Sequence, residues 1–180
     1  MKLVKTMVLA GLALALAGGA WAQDVKVDYD KAANFAAIKT FNLKLGTSWG
    51  NQLGEKRVVD EITQALTAKG WKLVPEGPAD AQVVLHGASQ TKRSLNTFYS
   101  GGGGYRYRGF GGMGTATTTE SEYTVGTLVV DIFDAKGESL LWRGSAQDEL
   151  SDKPEKNAKK LGKASDKLFK DFPPGSAKKK

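Results

Sequence analysis

Two β-rich runs joined by one short turn set the strongest limit on how this chain can fold. Glu122 to Phe133 is dense in β-branched residues, and Ser139 to Ala146 is a second extended run. Between them, Asp134-Ala135-Lys136-Gly137-Glu138 has hairpin chemistry. A lone hairpin is marginal in water, so it must join further strands and bury its apolar face under another layer. Two amphipathic segments supply that layer. From about Gly54 to Lys69, Val58, Val59, Ile62, Ala65 and Leu66 recur at helical spacing, with Glu55, Lys56, Asp60, Glu61, Gln64 and Thr67 opposite them. Gly70 follows as a natural stop. From about Lys153 to Phe172, the residues Ala158, Leu161, Ser165, Leu168, Phe169 and Phe172 form a second stripe. Asp152 stands where it can cap this helix, Pro154 suits its first turn, Glu155 sits three residues after the cap, and Pro173-Pro174-Gly175 ends it.

The other extended pieces are shorter. Val25, Val27 and Tyr29 alternate with polar residues at the period of a half-buried strand. Phe35 and Ile38 to Leu43 suggest a second strand, and Gly46 to Gly50 a loop. Trp71 to Val74 precedes the turn Pro75-Glu76-Gly77-Pro78, and Ala81 to Lys92 reads as a strand centred on Val83-Val84-Leu85. A long irregular insertion is expected from Ser94 to about Thr115. The order predicts one α+β domain over residues 23–174, an antiparallel sheet with both helices packed on one face. Its core is assigned to Val58, Ile62, Leu66, Leu128, Trp142, Leu161 and Phe169.

The first 22 residues read as a signal peptide. Lys2 and Lys5 precede an apolar run from Met7 to Ala17, and Gly18, Gly19 and Ala20-Trp21-Ala22 supply the small residues of a cleavage site. A hydrocarbon core of ~30 Å needs about 20 apolar residues, so this run is too short to anchor the chain. Cleavage after Ala22 is expected, giving an exported form that starts at Gln23. Acylation would require a cysteine there, and the chain has 0 Cys. No lipid anchor, transmembrane helix, disulfide or thiolate metal site is therefore expected.

The formal charge of +7 is unevenly placed. Lys2 and Lys5 leave with the signal, so 24 basic residues face 19 acidic ones. Residues 151–180 hold ten Lys against Asp152, Glu155, Asp166 and Asp171, whereas 23–150 are nearly balanced. Lys156, Lys160, Lys163 and Lys167 share one helix face, and a basic tail at 175–180 adds Lys178 to Lys180. This concentration suits either a solvated helix face or contact with an anionic surface.

Motifs for chemistry do not hold up. Gly109-Phe110-Gly111-Gly112-Met113-Gly114 has the spacing G-x-G-x-x-G, but no strand leads into it and no helical period follows. The one histidine, His86, flanks a strand centre, and no serine sits in a nucleophile elbow. One His and no Cys argue against a dedicated zinc or copper site, and no cofactor is expected. The carboxylate pairs Asp28/Asp30 and Asp148-Glu149 read as a strand end and a turn. The most unusual composition lies in the insertion, where Tyr99, Tyr105, Tyr107 and Phe110 interleave with Arg106 and Arg108 among glycines. Such rings and guanidinium planes stack on sugars or aromatic partners, while the same composition also suits a plain connector. Nucleic acid is excluded as a partner by export.

Several stretches together resemble a known family. These are Val27-Asp28-Tyr29-Asp30 with Phe35 and Lys39-Thr40-Phe41, Gly70, Pro78-Ala79-Asp80, Gly126-Thr127-Leu128-Val129-Val130-Asp131, Leu141-Trp142-Arg143-Gly144 and Phe172-Pro173-Pro174. Over residues 25–174 the chain resembles the bacterial domain family DUF4136. The resemblance implies an envelope protein of a Gram-negative bacterium with no assigned reaction, often a lipoprotein, from which this chain departs by lacking the acceptor cysteine. Arg143 next to Trp142 should point away from the core and pair with Asp131. The expected role is a non-enzymatic periplasmic module that binds an envelope protein or an anionic envelope component. Tyr105, Arg106, Tyr107, Arg108 and Phe110, or Lys156, Lys160, Lys163 and Lys167, would make the contact. The alternative is a hydrolase using carboxylates or His86.

Overall fold

The structure, a computed structural model, describes residues 23–100 and 115–175. In chain order it contains β1 (Asp24–Tyr29), a 3-10 turn (Phe35–Ala37), β2 (Thr40–Thr47), α1 (Gln52–Ala68), β3 (Lys72–Leu73), β4 (Ala81–Ser100), β5 (Thr115–Asp134), β6 (Leu140–Glu149) and α2 (Pro154–Leu168). Phe35 thus stands in the 3-10 turn, not in a strand, and β2 begins only at Thr40.

All six strands form one sheet in the order β1-β6-β5-β4-β2-β3. Neighbours along β1, β6, β5 and β4 are antiparallel, but β2 runs parallel to both β4 and β3. The sheet is therefore mixed, a correction to the antiparallel expectation. The cause is α1. A helix following β2 carries the chain back along the sheet, so the strands after it start from the same end as β2 and pair parallel to it.

Alternation along the strands places Phe41, Ala81, Val83, Leu85, Leu128, Val130, Ile132, Trp142 and Ala146 on one face, where all are buried. Ile62 and Leu66 of α1, and Ala164, Leu168, Phe169 and Phe172 on and just beyond α2, complete the same cluster. Both helices therefore pack on one face. Trp142 stacks on Phe169 with ring centroids 5.3 Å apart. Phe172 meets Phe35, Trp71, Trp142 and Phe169 in edge-on contacts at 5.1–6.1 Å. Gly144 is needed beside this group, because a Cβ there would lie 2.3 Å from the Trp142 ring and 2.8 Å from Leu168. Val58 and Leu161 are only partly buried at its margin.

Three side chains depart from the helical reading. Glu55 is buried, because α1 starts at Gln52 and its first turn folds Glu55 back onto the preceding loop. There its carboxylate accepts from Ser48 Oγ at 2.6 Å and from the Trp49 amide at 3.0 Å, while Asn51 Oδ1 caps the helix at the Gly54 amide. Ala158 is exposed rather than part of the buried stripe. Asp152 does not cap α2, whose N-cap position is Lys153 without a side-chain bond. Ser151 and Asn157 instead exchange two bonds across that turn, each 2.7 Å.

Within the expected irregular insertion, the described residues 94–100 and 115 are strand. β4 and β5 pair without interruption from Ala81↔Asp134 to Ser100↔Thr115. β2 leaves β4 at His86, and β6 leaves β5 at Val125. About ten residue pairs, from Thr91↔Thr124 outward, therefore form a two-stranded arm beyond the body of the sheet. At ~3.3 Å per residue the arm reaches roughly 33 Å.

Candidate functional site

The helix-free face of the sheet carries one polar cluster. Val84, Asp131 and Arg143 stand side by side on β4, β5 and β6. Arg143 donates Nε and Nη2 to the two oxygens of Asp131, both at 2.6 Å, the expected cross-strand pair. Asp131 is only 2% exposed although neither α1 nor α2 covers this face. The bond to Asp131 and its negative charge raise the Arg143 pKa above the ordinary guanidinium value. His86 Nε2 lies 3.8 Å from Asp131 Oδ2, and His86 Nδ1 is 3.0 Å from the Thr47 hydroxyl. A hydroxyl, an imidazole and a carboxylate thus lie in sequence. However, both carboxylate oxygens are held by the guanidinium, and the imidazole is beyond hydrogen-bond reach of the acid. The arrangement supports a structural ion pair with His86 at its edge, not a general base oriented on a nucleophile.

The concave site lies on the opposite face. The first turns of α1 and α2 part to leave a cleft of about 210 Å³ over β4, β5 and β6. Its floor is made of small residues, Gly87, Ser89, Gly126 and Ala146, and its walls include Trp49, Val58, Leu128, Leu150 and Leu161. The Trp49 ring lies on Gly87, where a Cβ would fall 1.8 Å from it, so only glycine fits beneath the indole. Glu55, through its bonds to Ser48 and Trp49, holds the loop that carries this ring. At the other wall, Lys160 Nζ meets Asp148 at 3.1 Å, and Gln23 donates to Asp148 and to the Lys160 carbonyl, both at 2.8 Å. His86 does not line this cleft.

The candidate contact residues fall in two places. Tyr105, Arg106, Tyr107, Arg108 and Phe110 lie outside the described residues, but the arm sets where their segment begins and ends. Along that arm Arg93 pairs with Glu122 at 2.8 Å and Glu120 at 3.5 Å, and Thr97 meets Thr118 at 3.2 Å. On α2, Lys156, Lys163 and Lys167 are exposed, whereas Lys160 is turned onto β6 and occupied by Asp148 and the Glu149 carbonyl. The free row has three lysines, not four. The carboxylate pairs are not paired for chemistry. Asp28 bonds the Tyr29 amide, Asp30 the Ala32 amide, and Asp148 serves Lys160 and Gln23. Among the described residues no group of three His, Cys, Asp or Glu side chains is arranged to hold a metal ion.

The residues that carried the family resemblance mark positions of the fold. Asp80 Oδ2 accepts from the Lys39 and Thr40 amides at 2.9 Å and from the Thr40 hydroxyl at 2.8 Å, tying Pro78-Ala79-Asp80 to Lys39-Thr40-Phe41. Gly126 lies under Leu150, and Leu141-Trp142-Arg143-Gly144 supplies the core ring, the ion pair and the close approach. Residues 25–174 match the family described as a domain of unknown function, DUF4136. The chain belongs to the DUF4136 family. No curated protein matches this DUF4136 chain significantly. Among solved structures, a PDZ domain protein from Parabacteroides distasonis is similar with a TM-score of 0.50 and 16% identity, over 86% of this chain and 37% of that one. The DUF4136 chain spans little more than a third of that protein's length, and the likeness concerns the fold. A PelC dodecamer from Paraburkholderia phytofirmans is similar with a TM-score of 0.47 and 11% identity, over 82% of this chain and 97% of that one.

Sequence reasoning missed the builders of the cleft, Gln23, Trp49, Glu55 and Gly87. A partial signal was present for one of them. Asn51 followed by apolar periodicity marks a helix start before Gly54, which puts Glu55 in the first turn, where it can reach back to the loop.

Proposed function

We propose that this chain is an exported envelope module that acts by binding, not by catalysis, and that it engages an envelope protein or polymer through the segment at the end of its β-arm. The observation that carries this reading is the unbroken β4–β5 register out to Ser100↔Thr115, well past the last pairings of β2 and β6. From Thr91 to Thr97 and from Thr117 to Thr124 these pairs bury no core residue, so the arm adds little to the stability of the body. What it does is hold both ends of residues 101–114, with their Tyr, Arg and Phe side chains, roughly 33 Å from the body of the sheet. Arg and Tyr on a glycine-rich segment offer stacking and bidentate hydrogen bonding to sugars, carboxylates or aromatic side chains. Export is supported by the charge, apolar run and small-residue site of the first 22 residues, with Gln23 as the expected first residue of the processed form. No helix among the described residues is long and apolar enough to cross a membrane.

The experiment compares two proteins beginning at Gln23, one intact and one with residues 101–114 replaced by a two-residue turn. Both are used to capture partners from envelope extract. Capture by the intact chain alone, with equal circular dichroism for the two, supports the reading. Equal capture by both would move recognition away from the arm tip. N-terminal sequencing of the envelope form tests export separately, and a chain that still starts at Met1 would contradict it.

A further inference from the structure

We infer that two copies of this chain associate by pairing the outer edges of their β4 arms antiparallel about Leu95, giving a closed twofold dimer. Among the described residues, β4 from Ala88 to Ser100 has β5 on one side and no strand on the other, because β2 ends its pairing at His86. Its outward amides and carbonyls form a ready template for another strand. A two-stranded ribbon of this length is marginal by itself, and a second ribbon alongside would make it four-stranded.

The side chains point to a second copy as the occupant. Leu95 is 67% exposed and is the sole apolar residue from Thr91 to Thr97, with Glu120 as its cross-strand neighbour. In an antiparallel pair centred on Leu95, the two leucines meet across the axis. Arg93 then stands opposite the partner's Thr97, Ser94 opposite the partner's Asn96, and Ser100 opposite the partner's Gln90. No like charges fall directly across from one another, the arrangement that would destabilise a strand pair. Arg93 also keeps Glu120 and Glu122, which lie on its other side. The β6 side of the β5 arm is less suited, since Thr115 to Thr124 offers no branched aliphatic side chain. Pairing β4 of one copy with β5 of the next would leave an edge free at each end and run on into fibres, whereas twofold pairing closes at two.

The chain has no cysteine, so single introduced thiols report the geometry directly. Opposed residues of an antiparallel pair have Cα atoms ~4.5–5.5 Å apart, within the span of a disulfide. In the twofold dimer the two Glu120 positions are three strand spacings apart, roughly 14 Å, which is too far. The full chain from Gln23 is expected to sediment as a dimer. Under mild oxidation L95C should cross-link almost completely and E120C hardly at all. Leu95→Lys, which places two ammonium groups across the axis, should yield monomer with unchanged circular dichroism. A monomeric parent chain, higher oligomers, or cross-linking of E120C in preference to L95C would overturn the proposal. If Leu95→Lys disturbs folding, the two cysteine variants decide the question by themselves.

Discussion

At the scale of single residues, Trp142 is the largest fully buried side chain among the described residues. Trp142 alternates into the core face of a strong hairpin, and it is buried against Phe169 and Phe172. Trp142→Ala should therefore destabilise by about 3–5 kcal/mol in urea unfolding, with the cavity only partly closed by its neighbours. Arg143 and Asp131 were legible as a pair for the same reason, since adjacent strands of one hairpin fix their register. Asp80 was not. Its partners, Thr40 at the start of β2 and Lys39 just before it, are 40 and 41 residues away, and nothing local says that the two segments meet. Its carboxyl is held below the ordinary carboxylate value by the Lys39 amide first, then by the Thr40 hydroxyl and the Thr40 amide. A depressed carboxyl contributes stability that is present above its unfolded pKa and lost as pH falls through the folded one. The unfolding midpoint of the parent should drop below about pH 4, and Asp80→Asn should reduce that dependence while lowering the midpoint at neutral pH. An Asp80 resonance titrating at the ordinary carboxylate value would refute the assignment.

At the scale of elements, apolar periodicity found α1, α2 and the inner parts of β4, β5 and β6, because each has a buried face. It could not find the outer halves of β4 and β5. Strand pairing there is made by backbone bonds between polar residues such as Thr91, Ser94, Asn96, Thr118 and Ser121, so no apolar period survives to be read. The parallel placement of β2 was equally hidden. Residue alternation is the same in parallel and antiparallel strands, and only the crossover through α1 decides between them. Residues 101–114 join the two outer strand ends, and no residue from Thr91 to Thr97 or from Thr117 to Thr124 is buried, so their length should matter little to folding. Replacing them with a two-residue turn should leave the unfolding midpoint nearly unchanged, since doubling a loop costs only ~0.6 kcal/mol. Loss of cooperative unfolding in that variant would show that the arm belongs to the core after all.

At the scale of the whole molecule, the arm and the exposed lysines of α2 occupy different parts of the surface. The arm leaves the sheet at one end, while α2 lies across the helix face with Lys156, Lys163 and Lys167 exposed and Lys178 to Lys180 following in the sequence. Lys160 subtracts itself from this row by pairing with Asp148, a contact between α2 and β6 that helical spacing alone does not reveal. What remains free can act on an anionic surface at a distance. Each basic residue close to such a surface contributes about 1 kcal/mol at physiological ionic strength, and the attraction falls off within a Debye length of ~8 Å. Replacing Lys156, Lys163 and Lys167 with Gln should therefore weaken binding to phosphatidylserine-containing vesicles by about 3 kcal/mol, or roughly a hundredfold. Lys160→Gln should weaken vesicle binding much less than any of the three and should lower stability instead, because it leaves Asp148 without its cation at the cleft wall. Co-sedimentation with vesicles at low and high salt measures the first effect, and urea unfolding the second. If the intact chain ignores anionic vesicles even at low salt, the exposed lysines of α2 are a solvated face, and recognition rests with the arm alone.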